Sequence, residues 1–306
     1  MRIALVGDIH VFAKRVARRR YFLSRRILGH TNLVLTRRNR FNHALLKPLT
    51  ARLEELKPDT VLFSGDVTTT SLEDEFEDIA RFIRPLAEWA QVVLVPGNHD
   101  RYTFGSRRVR RIETLMGGLI PEAFPHLRDL TERWRLLALD SAAPRVLSSS
   151  GELGRLQLEA TGELLSGLTE DQGLVVLCHY PVIEPPLTPR HRTHDLRERE
   201  ALRAQLDECR ARVLFLHGHI HKPWALLPGP PSNPPFTSIN AGAPCMTSER
   251  FPAGQGFWEI ELPDDPADAV RLTHHVPVPP TGAGPTGRKA IRIPPEDLNW
   301  EARQVV

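Results

Sequence analysis

Short runs of apolar and β-branched residues recur along the chain and are separated by polar stretches. The runs lie at 2–6, 60–64, 92–95, 136–139, 174–178 and 213–217. A continuous apolar run of this length is typical of a strand that is buried on both faces. The pattern therefore predicts a mostly parallel sheet architecture with helices between the strands.

Helical spacing appears between these runs. Leucines at i, i+4, i+8 and i+11 predict a core-facing helical stripe formed by Leu45, Leu49, Leu53 and Leu56. Further helices are predicted near 73–90, 107–117, 153–166 and 196–210. After residue 235 the pattern changes to strands without helices, near 236–240, 256–262 and 270–275. Together these patterns predict a layered α/β fold in which two sheets pack face to face with helices outside.

Two segments rich in proline and glycine are predicted to lack helices. Residues 228–235 (PGPPSNPP) predict a rigid turn or a hairpin tip, and residues 276–306 contain six prolines. We therefore expect one domain over 1–275, followed by a tail over 276–306 that is extended or disordered. A chain of 306 residues can bury a core of ample size without disulfides.

The cysteines and the missing motifs exclude several classes of protein. Three cysteines, at 178, 209 and 245, form no CxxC pair, so the sequence predicts neither a disulfide framework nor a thiolate zinc site. No Gly-rich phosphate loop, GxGxxG or GxSxG is present. No apolar run is long enough for a membrane span, and Asp8 interrupts any signal peptide, so we expect a cytoplasmic protein.

Polar residues follow five of the predicted strands. The segments are GDIH at 7–10, GD at 65–66, GNHD at 97–100, CH at 178–179 and GHIH at 218–221. Single GD or GN dipeptides are common in turns, but five such segments at successive strand ends converge on one crevice. Asp, His and Asn without Cys form a ligand set that suits Mn²⁺, Fe or Zn²⁺. Each glycine is expected to let the backbone turn sharply at the strand end.

The order D-x-H, G-D, G-N-H-D, H and G-H-x-H resembles the calcineurin-like metallophosphoesterases, and the resemblance covers most of residues 1–262. It includes GELGRLQLEATGELL at 151–165, which is similar to the helix that precedes the fourth of these motifs. The resemblance implies a four-layer α/β sandwich of two packed mixed β-sheets flanked by helices, with two divalent metal ions. It implies ligands Asp8, His10 and His221 for one ion, Asn98, His179 and His219 for the other, and Asp66 as a bridge.

The chemistry of such a centre agrees with these residue types. A carboxylate suits the bridge because its two oxygens and its negative charge reduce repulsion between the cations. Two ions roughly 3.5–4 Å apart can generate a shared hydroxide that attacks phosphorus, which predicts hydrolysis of a phosphoric ester or pyrophosphate. The resemblance makes His99 the proton donor to the leaving group or a phosphate contact, with Asp100 orienting its ring. The alternative is that His99 only supports the adjacent ligand, and His217 is expected to support the ligands in that way.

Positive charge is concentrated near the first motif. Residues 9–53 contain twelve Lys or Arg and no Asp or Glu, so the remaining chain carries a net charge of −9. Residues 11–42 also contain many large apolar side chains and are predicted to form a basic helical cap beside the site. This cap could grip an anionic substrate, with Arg18 and Arg19 as contacts, lie on acidic lipid, or be a solvated helical hairpin. His191 and His194, in a basic loop, are further candidate contacts to substrate phosphate.

The expected substrate is an anionic phosphodiester or pyrophosphate, either a small molecule or linked to a lipid. Peripheral association with an acidic membrane is expected if the basic segment binds lipid. A cyclic nucleotide is the alternative substrate, and a non-catalytic metal-binding scaffold is the alternative function. Nucleic acid would also satisfy the positive charge, but no cap domain of the kind a nuclease needs follows the CH motif at 178–179.

Overall fold

The computed structural model describes residues 1–12, 41–145, 148–185, 192–229, 234–279 and 298–305. Within them, two six-stranded sheets are formed by β1 (Arg2–Val6), β2 (Thr60–Phe63), β3 (Gln91–Leu94), β4 (His126–Asp129), β5 (Trp134–Ala138), β6 (Gly173–Leu177), β7 (Arg212–His217), β8 (Trp224–Leu226), β9 (Thr237–Asn240), β10 (Phe257–Glu261), β11 (Arg271–Val278) and β12 (Asn299–Gln304).

Both sheets combine parallel and antiparallel neighbours. The first has the order β12-β11-β10-β1-β2-β3, in which β1, β2 and β3 are parallel and the others pair antiparallel. The second has the order β4-β5-β6-β7-β9-β8, in which β5, β6, β7 and β9 are parallel. The carboxyl ends of seven parallel strands are thus available to build a site.

The helices of the described residues lie on the outer faces of the two sheets. They are α1 (Leu46–Leu56), α2 (Glu73–Ile83), α3 (Phe104–Arg108), α4 (Arg111–Leu115), α5 (Arg155–Ser166) and α6 (Arg199–Asp207), with 3₁₀ turns at His43–Leu45, Arg84–Glu88 and Arg192–His194. None of the described helices is long and apolar enough to cross a membrane.

Burial on both faces explains the continuous apolar runs. In β1, Ile3 and Leu5 belong to the apolar cluster between the sheets, whereas Ala4 and Val6 belong to the cluster under α1 and α2. A third cluster joins the other face of the second sheet to α5 and α6. Three apolar layers between four structural layers confirm the predicted four-layer α/β sandwich.

Two predicted helices are shorter than their sequence patterns suggest. The helix predicted near 73–90 ends at Ile83 and continues as a 3₁₀ turn, because Pro85 lacks the N–H that an α-helix needs. The helix predicted near 107–117 is interrupted at Arg110, whose φ of 46° is left-handed, so it becomes α3 and α4.

The C-terminal segment adds a strand to the first sheet, and the basic segment is described only at its two ends. The expected domain boundary at 275 falls within β11, and Asn299–Gln304 adds an edge strand to the first sheet by pairing with β11. Most of the predicted cap at 11–42 lies outside the described residues. Its two ends are described, and Val11 and Phe41 form single β-bridges with Thr68 and Met246.

One buried histidine in the fold predicts a pH dependence of stability. His274 in β11 is stacked on Trp258 with ring centroids 4.5 Å apart, and burial lowers the pKa of His274 to about 4. Because the unfolded side chain titrates near 6.5, the unfolded chain binds more protons between these values and stability falls as the pH falls. We expect a loss of about 2 kcal/mol from this group at about pH 5.

Urea denaturation at pH 7.5 and pH 5 measures this loss for the wild type and for His274→Phe. The variant should lose less free energy of unfolding between the two pH values. An identical pH dependence in both proteins would show that His274 does not cause the acid sensitivity.

Candidate metal centre

Five loops converge at the carboxyl ends of β1, β2, β3, β6 and β7. Main-chain hydrogen bonds join several of them: the N–H of His10 donates to Asp66 at 2.9 Å and that of Gly218 to His179 at 3.1 Å. The N–H of Asp8 donates to Gly242, in the loop after β9, at 3.0 Å. Residues from distant parts of the sequence are therefore brought into one crevice, as the strand-end pattern predicts.

The first group of donors is formed by Asp8, His10, Asp66 and His221, whose ligand atoms all lie within 4.8 Å of one another. His221 Nε2 is 3.0 Å from Asp8 Oδ2 and 2.9 Å from His10 Nε2. Donors about 2.1 Å from one ion are about 3.0–3.4 Å apart in octahedral or tetrahedral geometry. Asp8, His10 and Asp66 are buried and His221 is half-buried, and the short distances from His221 to Asp8 and His10 fit ligands of a single cation.

A buried carboxylate oxygen gives a second indication of a cation. Asp8 Oδ1 is fully buried and has no hydrogen-bond partner in the part of the chain that the structure describes. Asp8 Oδ2 accepts the N–H of His219 at 2.9 Å. Burial raises the pKa of Asp8, because a charged oxygen without a donor is unfavourable in the interior. A cation bound beside the Asp8 carboxylate would compensate its buried negative charge.

A second group of donors surrounds Asn98. Its Oδ1 is 3.1 Å from His179 Nε2 and 3.1 Å from His219 Nδ1. Main-chain carbonyls contact the other nitrogens of both rings, Ser64 O at His179 Nδ1 (2.8 Å) and His194 O at His219 Nε2 (2.9 Å). When those nitrogens carry the protons, the lone pairs of both rings face Asn98 Oδ1, an arrangement that a cation would stabilise.

Asp66 lies between the two groups. Its Oδ2 is 3.6 Å from His10 Nε2 and 3.5 Å from His179 Nε2, whereas its Oδ1 accepts the N–H of His99 at 2.7 Å. One oxygen, rather than the two that we expected, therefore faces both groups. Burial opposes ionisation of Asp66, but the neighbouring histidines outweigh it and hold its pKa well below the usual range.

The two histidines of the second group have pKa values that are shifted in opposite directions. Burial disfavours the charged form of His179, but the Asp66 carboxylate outweighs it and raises the pKa of His179 to about 9. Burial, followed by the His179 charge, lowers the pKa of His219 well below its ordinary value. The group thus holds positive charge near Asp66, where a metal ion would compete with the proton.

Two glycines provide the space that this approach of side chains needs. A Cβ at Gly97 would lie 2.1 Å from Asp66 Oδ1, and a Cβ at Gly218 would lie 2.2 Å from Asp8 Oδ1. Neither glycine has a positive φ, so the sharp turn that we expected is not their role. They allow the backbone to approach the carboxylates closely.

His99 is oriented by a main-chain carbonyl rather than by Asp100. His99 Nδ1 is 2.6 Å from Thr69 O. The Asp100 carboxylate instead accepts the N–H groups of Gly97 and Thr68 and the Thr68 hydroxyl, each at 2.9 Å. Asp100 therefore shapes the loop that carries Asn98 and His99, which differs from the expectation that it orients the His99 ring.

The other predicted residues have different surroundings. His217 is buried at the end of β7, where its Nε2 is 3.2 Å from Ser238 Oγ and burial lowers its pKa to about 3. The main chain of His194 contacts His219, while its exposed ring bonds to Ser149. Three predicted substrate contacts lie outside the described residues: Arg18, Arg19 and His191.

Comparison with known proteins agrees with this fold. The sequence profile of the calcineurin-like phosphoesterases matches residues 1–223, which is most of the chain and contains every proposed ligand. The chain belongs to the calcineurin-like phosphoesterase family.

Individual members of the family and proteins of the same fold show different degrees of similarity. A probable cyclic nucleotide phosphodiesterase of Rhodococcus erythropolis is 29% identical over 168 residues, 54% of this chain and 52% of that protein. The chain thus matches about half the length of this curated relative.

A dimetal phosphatase from Danio rerio has a TM-score of 0.56 at 14% identity and covers 89% of this chain and 94% of its own. PhoD has a TM-score of 0.61 at 10% identity and covers 100% of this chain and 71% of its own. Both structures share the fold.

Several residues that contact the two groups of donors were not identified from the sequence. The Thr69 hydroxyl donates to His10 O at 2.8 Å, and His43 Nε2 is 3.0 Å from the same oxygen. The Gln255 amide donates to His221 O at 3.0 Å, and the Phe41 ring lies 5.1 Å from the His10 ring. These contacts fix the main chain and the ring positions of two ligands. No sequence motif reveals these contacts, because each one joins residues that are distant in sequence, and three of them involve a main-chain carbonyl.

An ion-pair network fixes the loop after Asp100. The Arg101 guanidinium is 5% exposed, and its Nη2 donates to Glu113 at 2.8 Å and to Asp140 at 2.7 Å. Removing the guanidinium would take the closest partner from two partly buried carboxylates, so we expect Arg101→Ala to cost about 3 kcal/mol of unfolding free energy. The control is Arg81→Ala, which removes the exposed pair with Asp78 and should cost less than about 1 kcal/mol.

Urea denaturation of the two variants checks this difference. Similar losses in both would mean that the Arg101 network does not stabilise the loop.

Proposed function

We propose that this chain is a metal-dependent phosphoester hydrolase with a dinuclear centre. The observation that carries the proposal is the position of Asp66 Oδ2 between two groups of donors, 3.6 Å from His10 Nε2 and 3.5 Å from His179 Nε2. Membership of the calcineurin-like phosphoesterase family supports the reaction class.

Each group of donors would hold one ion. Asp8, His10 and His221 would bind the first ion, Asn98, His179 and His219 the second, and Asp66 would contact both. Nitrogen and oxygen donors without thiolates suit Mn²⁺, Fe or Zn²⁺. Two ions held there would supply an activated water for in-line attack on phosphorus and would stabilise the charge on the attacking and leaving oxygens.

His99 would donate the proton to the leaving group. Thr69 O lies 2.6 Å from His99 Nδ1 and holds the proton there, so Nε2 would deliver a second proton to the leaving oxygen. The ring is half-buried and packs edge-on against His10, with centroids 4.7 Å apart, beside the donors that would hold the first ion.

The substrate would be a small anionic phosphodiester, with a cyclic nucleotide as the leading candidate. The similarity to a probable cyclic nucleotide phosphodiesterase supports this candidate. The second candidate is a lipid-linked phosphodiester or pyrophosphate, which the twelve cations of residues 9–53 favour. Peripheral membrane association belongs with that second candidate.

A substrate panel tests the proposal. The full chain is loaded in turn with Mn²⁺, Fe²⁺ and Zn²⁺ and assayed with bis-p-nitrophenyl phosphate, cyclic nucleotides, nucleotide sugars and lipid pyrophosphates. We expect turnover of bis-p-nitrophenyl phosphate and of one natural class, and loss of both in Asp66→Ala. Metal binding without turnover of any substrate would instead indicate a non-catalytic scaffold.

A further inference from the structure

An exposed apolar surface lies directly after the loop that carries His99. Large apolar side chains that are strongly exposed among the described residues are Phe104 (62%), Val109 (56%), Leu156 (74%) and Val305 (46%). Two of the four fall within six residues. We call Phe104, Arg107, Arg108 and Val109 the Phe104 surface.

The local structure holds this surface in place. Thr103 caps α3, since its hydroxyl accepts the N–H of Ser106 at 3.1 Å and the Ser106 hydroxyl donates back to Thr103 O at 2.8 Å. Ser106 is 3% exposed and faces the protein. Phe104, the first residue of the capped helix, is therefore displayed to solvent by an ordered turn.

The charge of the surface is positive and incompletely paired. No carboxylate among the described residues lies within 4 Å of Arg107 or Arg108, and the nearest carboxylate to Arg110, that of Glu113, is 3.9 Å away. No Asp or Glu occurs between Asp100 and Glu113. Exposed apolar side chains among arginines that lack a close carboxylate are typical of elements that bind the interface of an anionic bilayer.

The surface is close to the proposed reaction centre. Tyr102 stacks on the His99 ring, with centroids 5.5 Å apart and an angle of 22° between the rings. Phe104 is two residues further along, so its Cα lies within about 18 Å of that of His99 even for a fully extended chain. A bilayer that contacts Phe104 would thus lie within about the same distance of His99.

We propose that the Phe104 surface docks on an anionic lipid bilayer, with Phe104 and Val109 entering the interface and Arg107 and Arg108 contacting lipid phosphates. This inference extends the proposed function by naming where a lipid-linked substrate would be met. Docking itself needs neither metal nor catalysis. The two proposals can therefore fail separately.

A bilayer suits this surface better than a protein or a nucleic acid does. The buried centre of a stable protein interface is mostly apolar and depleted of charge, whereas the charge of this surface is positive and its apolar side chains are two. Nucleic acid backbones use the arginines but gain little from Phe104 and Val109. A bilayer uses both kinds of side chain, since apolar anchors and cations add their contributions.

Vesicle co-sedimentation of the full chain tests the inference. The vesicles contain phosphatidylcholine alone or with 30% phosphatidylglycerol, at low and high salt. Arg107→Ser with Arg108→Ser should weaken binding to anionic vesicles at low salt by roughly 25-fold, about fivefold for each cation. Phe104→Ser should weaken binding at both salt concentrations by about tenfold.

Matched controls come from α5. Leu156→Ser removes an apolar side chain that is more exposed than Phe104, and Arg155→Ser removes an exposed arginine paired with Glu159. Both controls should bind vesicles like the wild type. Asp66→Ala should also bind normally, which separates docking from the proposed function.

Three outcomes would overturn the proposal. They are no sedimentation of the wild type with anionic vesicles, equal sedimentation of the wild type and the Phe104-surface variants, and tighter binding to duplex DNA that is lost in the same variants. Phe104→Ser should still hydrolyse bis-p-nitrophenyl phosphate at the wild-type rate, which shows that the variant is folded.

Discussion

Asp66→Ala is expected to lose both metal ions and nearly all turnover. Asp66 Oδ2 is within 3.6 Å of a histidine nitrogen in each group of donors, so its removal weakens two sites at once. We expect the loss of turnover with bis-p-nitrophenyl phosphate to exceed roughly 10⁴-fold, the upper end for removal of one general acid or base. Elemental analysis of the purified variant measures the metal content.

Two further variants make this result specific. Asp66→Asn keeps the shape of the side chain but removes its charge, and it should lose metal as well. Asp78→Ala removes an exposed carboxylate of α2 and should keep both ions. If Asp66→Ala retains two ions per chain, Asp66 does not bridge them.

His99→Ala is expected to keep its metal and to lose turnover by roughly 10²–10⁴-fold with substrates that have poor leaving groups. His99 Nδ1 bonds to Thr69 O and the ring packs edge-on against the ring of His10, so we expect its removal to leave the ligand atoms of both groups of donors in place. The loss should be much smaller with p-nitrophenyl esters, whose leaving group needs no proton.

The comparison of leaving groups distinguishes proton donation from positioning. Equal losses for p-nitrophenyl and alkyl phosphodiesters would show that His99 only positions the substrate or the adjacent ligand. Thr69→Ala provides a matched control, because it removes the hydroxyl that bonds to His10 O but leaves the carbonyl that orients His99. This variant should keep the dependence on the leaving group.

The strand core could be predicted from the sequence because its strands are buried on both faces. Ile3 and Leu5 face one apolar cluster and Ala4 and Val6 another, which produces an uninterrupted apolar run. β12 could not be predicted, because its residues lie after a Pro-rich segment and all but Trp300 are exposed. Trp300 packs against Phe257 at 5.7 Å, a tertiary contact that a local pattern does not show.

The positions of the candidate site residues were also predictable, but their orientations were not. Asp8, Asp66 and His219 follow parallel strands, and the sheet brings such strand ends together. The orientation of His99 depends on the Thr69 carbonyl. Every residue has a main-chain carbonyl, so this contact has no signature in the sequence. Gln255 is an equivalent case, since its amide reaches the carbonyl of His221 from 34 residues away.

Anomalous diffraction from crystals grown with Mn²⁺ tests the dinuclear centre most directly. Two peaks are predicted, one among Asp8, His10 and His221 and one among Asn98, His179 and His219, with Asp66 in contact with both. A single peak, or peaks that share no ligand, would contradict the proposed centre.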